Sequence, residues 1–453
     1  MSFRKDFVWG AATASYQIEG AAYEDGKGLS VWDRFSHEAG KVFDGHTGDV
    51  ACDHYHRYAE DVQLMKEIGL QAYRFSLSWP RILPEGKGAV NQKGLDFYNR
   101  LIDELLKNDI IPYVTLFHWD YPSALQALGA WENPDSYKWF EEYAALCART
   151  FGDRVKDFIT LNEPQCFIGC GYKIGVHAPG YQMPDSTVIP MSHHVLKGHG
   201  AAARALRSLV PDVRIGYAPC ADPSIPVTNS PEDIEAARKA YFTVPGDTVW
   251  AFNAAWWSDP ALLGSYPESG LKHYAKYLPK GWEQDLKLIH QPLDFYGQNI
   301  YYGRYVKAAD NEDGFEILPT MPVGFPKTAL QWPITPDALY WGPRFLYERY
   351  QTPFYMTENG MSAHDVVSLD GKVHDPNRQD YLNRYLLALR KAAEDGADIR
   401  GYFQWSLMDN FEWGHGYKER FGLIHVDYQT QQRTLKDSAY WYKQVIESNG
   451  ENL

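Results

Sequence analysis

Short apolar runs alternate with longer amphipathic ones along the whole chain. The short runs begin at Phe7 (FVWGAAT), Ala72 (AYRFSLSW), Ile111 (IPYVTLFHW), Asp157 (DFITLNEP), Val213 (VRIGYAP), Leu293 (LDFYGQNIY), Pro353 (PFYMTENG) and Ile399 (IRGYFQWSL). They are rich in β-branched and aromatic residues, and several lack strict alternation, as parallel strands covered on both faces do. The segments between them repeat at helical spacing. Tyr58, Val62 and Met65 fall on one face while Arg57, Glu60 and Lys66 can face water, and Gly69 follows as a C-cap. Leu95, Tyr98, Ile102 and Leu105 repeat the pattern, and a further helix opens at Pro376 behind a capping Asp375 and closes before Gly396. Eight successive β–α units predict an α/β fold, a parallel sheet closed into a (β/α)8 TIM barrel. An open doubly wound sheet is the alternative, but no GxGxxG or Walker loop follows any strand. The intervals from Tyr217 to Leu293 and from Tyr302 to Pro336 are long enough for extra elements, expected to wall a pocket as elaborated βα loops. No linker-like tract or internal repeat divides the chain, so residues 1–453 are expected to form one domain.

Composition narrows the function classes. A formal charge of −14 argues against nucleic acid or an anionic membrane as partner. No stretch approaches a membrane span, and the opening MSFRKDFVWGAATASYQ is too polar for the apolar core of a signal peptide. The five cysteines, Cys52, Cys147, Cys166, Cys170 and Cys220, have no framework spacing, which fits a reducing cytoplasm. Neither they nor His54 and His56 form a CxxC or HExxH pattern, so no metal or other cofactor is expected. The 15 Trp, 32 Tyr and 21 Phe mostly serve a ring-rich core, and they also supply faces on which a sugar can stack.

The strand ends carry the chemistry. FITLNEPQC runs as a strand from Phe158 and then reaches Asn162, Glu163 and Pro164, where proline ends the ladder. Barrel active sites lie at such C-terminal strand ends. Gln17 lies just past the first strand and Arg74 within the second; His118 and Trp119 end the third, and Asn162 and Glu163 the fourth. Asn299 and Tyr301 end the sixth, Glu358 and Asn359 the seventh, and Trp405 the eighth. Glu163 in TLNEP and Glu358 in YMTENG have matching settings and can point into one mouth. Two carboxyl groups flanking a bond are the equipment of glycoside hydrolysis, one as nucleophile and one holding a proton for the leaving oxygen. A strand-end glutamate that only caps a loop or pairs with arginine is the plainer reading of either one alone.

The blocks FVWGAATASYQIEGA, YRFSLSWPRILPEG, LFHWDYP, TLNEP, HAPG, YMTENG and WSLMDNFEW span nearly the whole chain. With them the sequence resembles the family 1 glycoside hydrolases, retaining β-glucosidases on a (β/α)8 barrel. The resemblance implies a β-glucoside as the small-molecule substrate, Glu163 as general acid/base and Glu358 as nucleophile. It implies that Arg74 and Tyr301 contact the nucleophile and that Asn299 lies near the acid/base. Gln17, His118, Asn162, Glu412 and Trp413 match residues that bind sugar hydroxyls, and Trp405 matches the stacking floor. Trp119 joins the sugar-binding set, and Trp332 resembles an aromatic on the leaving-group side. A retaining mechanism requires carboxyl groups about 5–5.5 Å apart, Glu163 with a raised pKa, and Glu358 ionised beside Arg74. Where many relatives carry tryptophan after NEP, Gln165 and Cys166 follow, an expected change in the leaving-group wall. A 6-phospho-β-glycosidase of the same family is a rival reading. Those enzymes replace the sugar-binding glutamate with serine and add lysine and tyrosine for phosphate; Glu412, Glu419 and Phe421 stand here. A non-catalytic sugar-binding protein on the same scaffold is the other alternative.

Overall fold

A computed structural model describes residues 2–319 and 322–453. All eight apolar runs are strands: β1 (Val8–Ala12), β2 (Ala72–Ser76), β3 (Ile111–Phe117), β4 (Asp157–Asn162), β5 (Arg214–Ala218), β6 (Phe295–Asn299), β7 (Phe354–Asn359) and β8 (Ile399–Trp405). They pair in parallel in sequence order and close, β8 returning to β1, into a barrel. The register levels the strand ends, with Ala12 opposite both Trp405 and Arg74, and Glu358 opposite Asn299.

The barrel interior is filled rather than open. Tyr113 on β3 meets Phe403 on β8 at 4.9 Å between ring centroids, and Phe295 on β6 meets Tyr355 on β7 at 5.0 Å. β3 and β8 are not neighbours, so their contact runs through the barrel interior. Large rings need small partners beside them. A Cβ on Gly216 would lie 2.0 Å from the Phe295 ring, and one on Gly10 would lie 2.6 Å from Phe403.

The helix from His54 to Ile68 ends in a left-handed Gly69, and Val62 and Met65 are buried while Glu60 and Lys66 are exposed. The helix Gln92–Lys107 buries Leu95, Tyr98, Ile102 and Leu105. The helix Pro376–Glu394 starts on its proline, but Asp375 does not cap it with its side chain. The Asp375 carboxylate accepts from the backbone N–H of Ser438 at 2.8 Å and from Arg378, tying this helix to the C-terminal helix Asp437–Glu447.

The long intervals hold more than loops. The first carries six helical segments and a strand, Ser224–Pro226. That strand joins Arg304–Ala308 and Phe315–Ile317 from the second interval in a separate three-stranded sheet. Thr320 and Met321, also in the second interval, lie outside the described residues. A short antiparallel pair, Ile424–Val426 with Arg433–Leu435, follows the barrel. These strands are only three to five residues long, too brief for a periodicity to register.

Candidate active site

Arg74 is the hub of the strand ends. It is buried and reaches four partners with its fixed guanidinium fork. Nη1 donates to Glu358 Oε1 at 2.7 Å and to the Thr357 carbonyl at 2.9 Å; Nη2 donates to Asn162 Oδ1 at 2.6 Å. Nε donates to Thr115 Oγ1 at 3.3 Å. Asn162 Oδ1 also accepts from Asn299 Nδ2 at 3.0 Å, and the same Asn299 nitrogen donates to Glu163 Oε1 at 2.8 Å. The Thr357 hydroxyl donates to Asn299 Oδ1 at 2.7 Å, which orients that amide. Glu358 and Glu163, from strands β7 and β4, are thus joined through Arg74, Asn162 and Asn299.

The two carboxyl groups are held differently. Glu358 receives a guanidinium N–H and, at 2.7 Å, the Tyr301 hydroxyl on Oε2. Glu163 receives an amide N–H and a hydrogen bond from the Cys166 thiol. Burial raises the pKa of both, and Arg74 and Tyr301 oppose that rise at Glu358. Glu163 is pushed up to about 8, by burial first and by the Glu358 charge second. The guanidinium and the phenol hydroxyl favour the charged form of Glu358 more than the amide and the thiol favour that of Glu163.

Backbone strain gathers here. Glu163, Trp119 and Trp413 all adopt left-handed φ, at 45°, 79° and 47°. Each costs about 1–3 kcal/mol relative to an ordinary conformation and persists only where its surroundings demand it. The Glu163 N–H donates to the Ala218 carbonyl at 2.8 Å, the Trp119 indole to the Asn162 carbonyl at 3.1 Å.

The flanking wall is aromatic and amide-rich. His118 lies between Trp405 and Trp413, stacked at 5.8 and 6.0 Å. Asn162 Oδ1 is taken by two donors, so its Nδ2 faces His118 Nε2 at 3.0 Å, which makes that nitrogen the acceptor and leaves the proton on Nδ1. Burial and Arg74 push the His118 pKa down, consistent with a neutral ring. Trp413 packs on Trp119 at 4.3 Å and Trp32 at 4.7 Å. Gln17 Nε2 donates to Asn410 Oδ1, the Phe411 carbonyl and Glu412 Oε2, at 3.0, 2.8 and 3.4 Å. Its Oε1 and the His118 Nδ1 are buried without protein partners, groups a polyhydroxylated ligand can satisfy. Trp332 sits farther out, 5.0 Å from the Tyr301 ring and 5.7 Å from Tyr302.

Three expectations change. Gln165 does not line the wall: it is fully buried, with its amide bonded to the Cys220 backbone, and partly exposed Cys166 faces Glu163 instead. Burial together with Glu358, Glu419 and Glu163 raises the Glu412 pKa to about 8, which favours its protonated form. In that form it donates one hydrogen bond rather than only accepting, until sugar hydroxyls stabilise its charged form. Thr115, Thr357 and Asn410, absent from the expected set, orient Arg74, Asn299 and Gln17; their only signal was a place beside the strand-end motifs.

Comparison with known proteins places these residues in context. The model of Glycosyl hydrolase family 1 matches residues 1–451. Beta-glucosidase A of Acetivibrio thermocellus is 46% identical, with 99% of each chain covered. The 1,4-beta-D-glucan glucohydrolase of Thermotoga neapolitana is 47% identical, again over 99% of each. The structure of the Thermotoga maritima beta-glucosidase in complex with deoxynojirimycin superposes with a TM-score of 0.90 at 45% identity, over 99% of each chain. Barrel, strand-end network and whole-length similarity agree: the chain belongs to glycosyl hydrolase family 1.

Proposed function

We propose that the protein is a retaining β-glucosidase that releases terminal non-reducing β-D-glucosyl residues from β-glucosides and cello-oligosaccharides. The observation that carries this reading is the asymmetry of its two central carboxyl groups. Glu358, with Arg74 and Tyr301 on its two oxygens, is the nucleophile; Glu163, with its pKa pushed to about 8, is the acid. Glu358 attacks the anomeric carbon as Glu163 protonates the departing oxygen, forming a glycosyl ester. Glu163, now a base, takes a proton from water, which attacks the same carbon, displaces the Glu358 carboxylate and restores the β-configuration. Asn299 and Asn162 position the pair, and Arg74 stabilises the nucleophile charge. Gln17, His118, Trp119, Trp405, Glu412 and Trp413 form the sugar subsite, and Trp332 the leaving-group side. The whole chain acts as one catalytic unit.

The named relatives support a glucoside substrate. Buried Glu419, whose oxygens have no hydrogen-bond partner and which pairs with Lys418 at 3.6 Å, sets an acidic group where a phosphate ester would need cations. A neutral sugar is therefore favoured over its 6-phosphate. Among the described residues no helix is long and apolar enough to cross a membrane, and all five cysteines are free, which supports a reducing, cytoplasmic setting. The deciding experiment compares kcat/KM for cellobiose, cellobiose 6-phosphate and aryl β-D-glucoside, galactoside and fucoside. The glucoside and cellobiose should lead; preference for the phosphate overturns the assignment.

A further inference from the structure

Next to the acid/base the fold assembles soft donors that no spacing in the chain announces. Cys166 lies in the wide helical segment Gln165–Lys173 that follows Glu163 and Pro164. Cys220 follows β5 and forms an isolated parallel bridge with Asn299. Gln165 clamps the two loops together. Its Nε2 donates to the Cys220 carbonyl at 2.6 Å, and its Oε1 accepts from the Cys220 N–H at 3.3 Å. The two sulfurs stand 3.8 Å apart, and a Glu163 oxygen lies within 4.8 Å of both.

At that spacing the two thiols share a hydrogen bond and are not disulfide-bonded, since bonded sulfurs are about 2.05 Å apart. The spacing suits a shared ion: two thiolates about 2.3 Å from a tetrahedral cation are separated by about 3.8 Å. Asn299 occupies Glu163 Oε1, which leaves the second oxygen of that carboxyl as a third ligand. Cys166 and Cys220 are partly exposed and free, so an ion can reach them, whereas Cys52 and Cys147 are buried elsewhere.

The geometry points to an inhibitory site for a thiophilic divalent cation, such as Zn2+ or Cd2+, ligated by Cys166, Cys220 and Glu163. Water or the Cys170 thiol, which hydrogen-bonds Cys166, completes four-coordination. On ligation both thiols and the carboxyl give up their protons to solvent. A metal-bound Glu163 has no proton for a leaving oxygen, and the cation's charge lowers its basicity toward water. This consequence rests on the proposed acid/base role, whereas the metal site itself does not.

Titration of the intact, metal-free protein with Cd2+ tests the site. The expected result is thiolate-to-cadmium ultraviolet absorption saturating at one equivalent, glucosidase activity falling in proportion to occupancy, and both changes reversed by a chelator. Cys220→Ser and Cys166→Ser should each lose the absorption and resist inhibition. In the unaltered protein, Cd2+ should shield Cys166 and Cys220 from alkylation, a readout that needs no variant. Absence of the absorption and of this protection overturns the proposal, as does full activity at full occupancy. The rate of metal-free Glu163→Gln tests the acid/base role separately.

Discussion

Glu163 and Glu358 are chemically alike, and their neighbours make them different. General acid catalysis contributes about 10²–10⁴-fold. Glu163→Gln is therefore expected to lower kcat/KM for cellobiose by about that factor. Aryl glucosides whose leaving group departs without a proton should retain a near-normal glycosylation rate, resolved by pre-steady-state measurement. Titration follows the same local logic. The first step needs protonated Glu163, so kcat/KM should fall as pH rises through about 8. The Glu358 charge contributes to that elevation, and removing it favours deprotonated Glu163. Trapping Glu358 as a stable ester with a 2-fluoro glucoside should accordingly lower the Glu163 pKa, read by NMR of labelled glutamate. An unchanged pKa would show that burial alone sets it.

The strand ends work because neighbouring elements approach closely above the filled barrel. Gly360 directly follows the strand that carries Glu358. A Cβ there would fall 1.8 Å from the Trp405 carbonyl oxygen, so the strand must pass β8 without a side chain. Gly360→Ala forces that carbonyl and the end of β7 apart, and overpacking of this kind costs about 1–3 kcal/mol. The expected outcome is a lower thermal midpoint and a fall in kcat larger than the change in KM, because Glu358 shifts with its strand. A second element-level device is Asp375, which holds the first turn of the C-terminal helix through Ser438 while pairing with buried Arg378. Asp375→Ala leaves part of that buried charge uncompensated and should destabilise the protein by about 3 kcal/mol or more, measured by calorimetry.

At the scale of the molecule, the two chain ends meet at the barrel. The Tyr442 hydroxyl in the C-terminal helix donates to the Gly10 carbonyl on β1, and Lys436, fully buried, bridges Asp365 and Asp409. Phe3 and Asn449 bond through their backbones. Truncation before Asp437 should therefore cost the whole barrel its cooperative unfolding transition, not only a terminal helix, as calorimetry of the intact and shortened chains would show. Eight buried strands and their helices were legible in the sequence because apolar periodicity is local and burial on both faces erases alternation. The strand-end residues were legible because barrel geometry converts a place in a motif into a place at one mouth. The family motifs already assigned the acid to Glu163 and the nucleophile to Glu358; tertiary structure alone decided the raised pKa of Glu412, the Gln165 clamp and the pairing of Cys166 with Cys220. Those properties depend on distances between residues far apart in the chain and on how completely water is excluded around them, and neither quantity is written in any local run of residues.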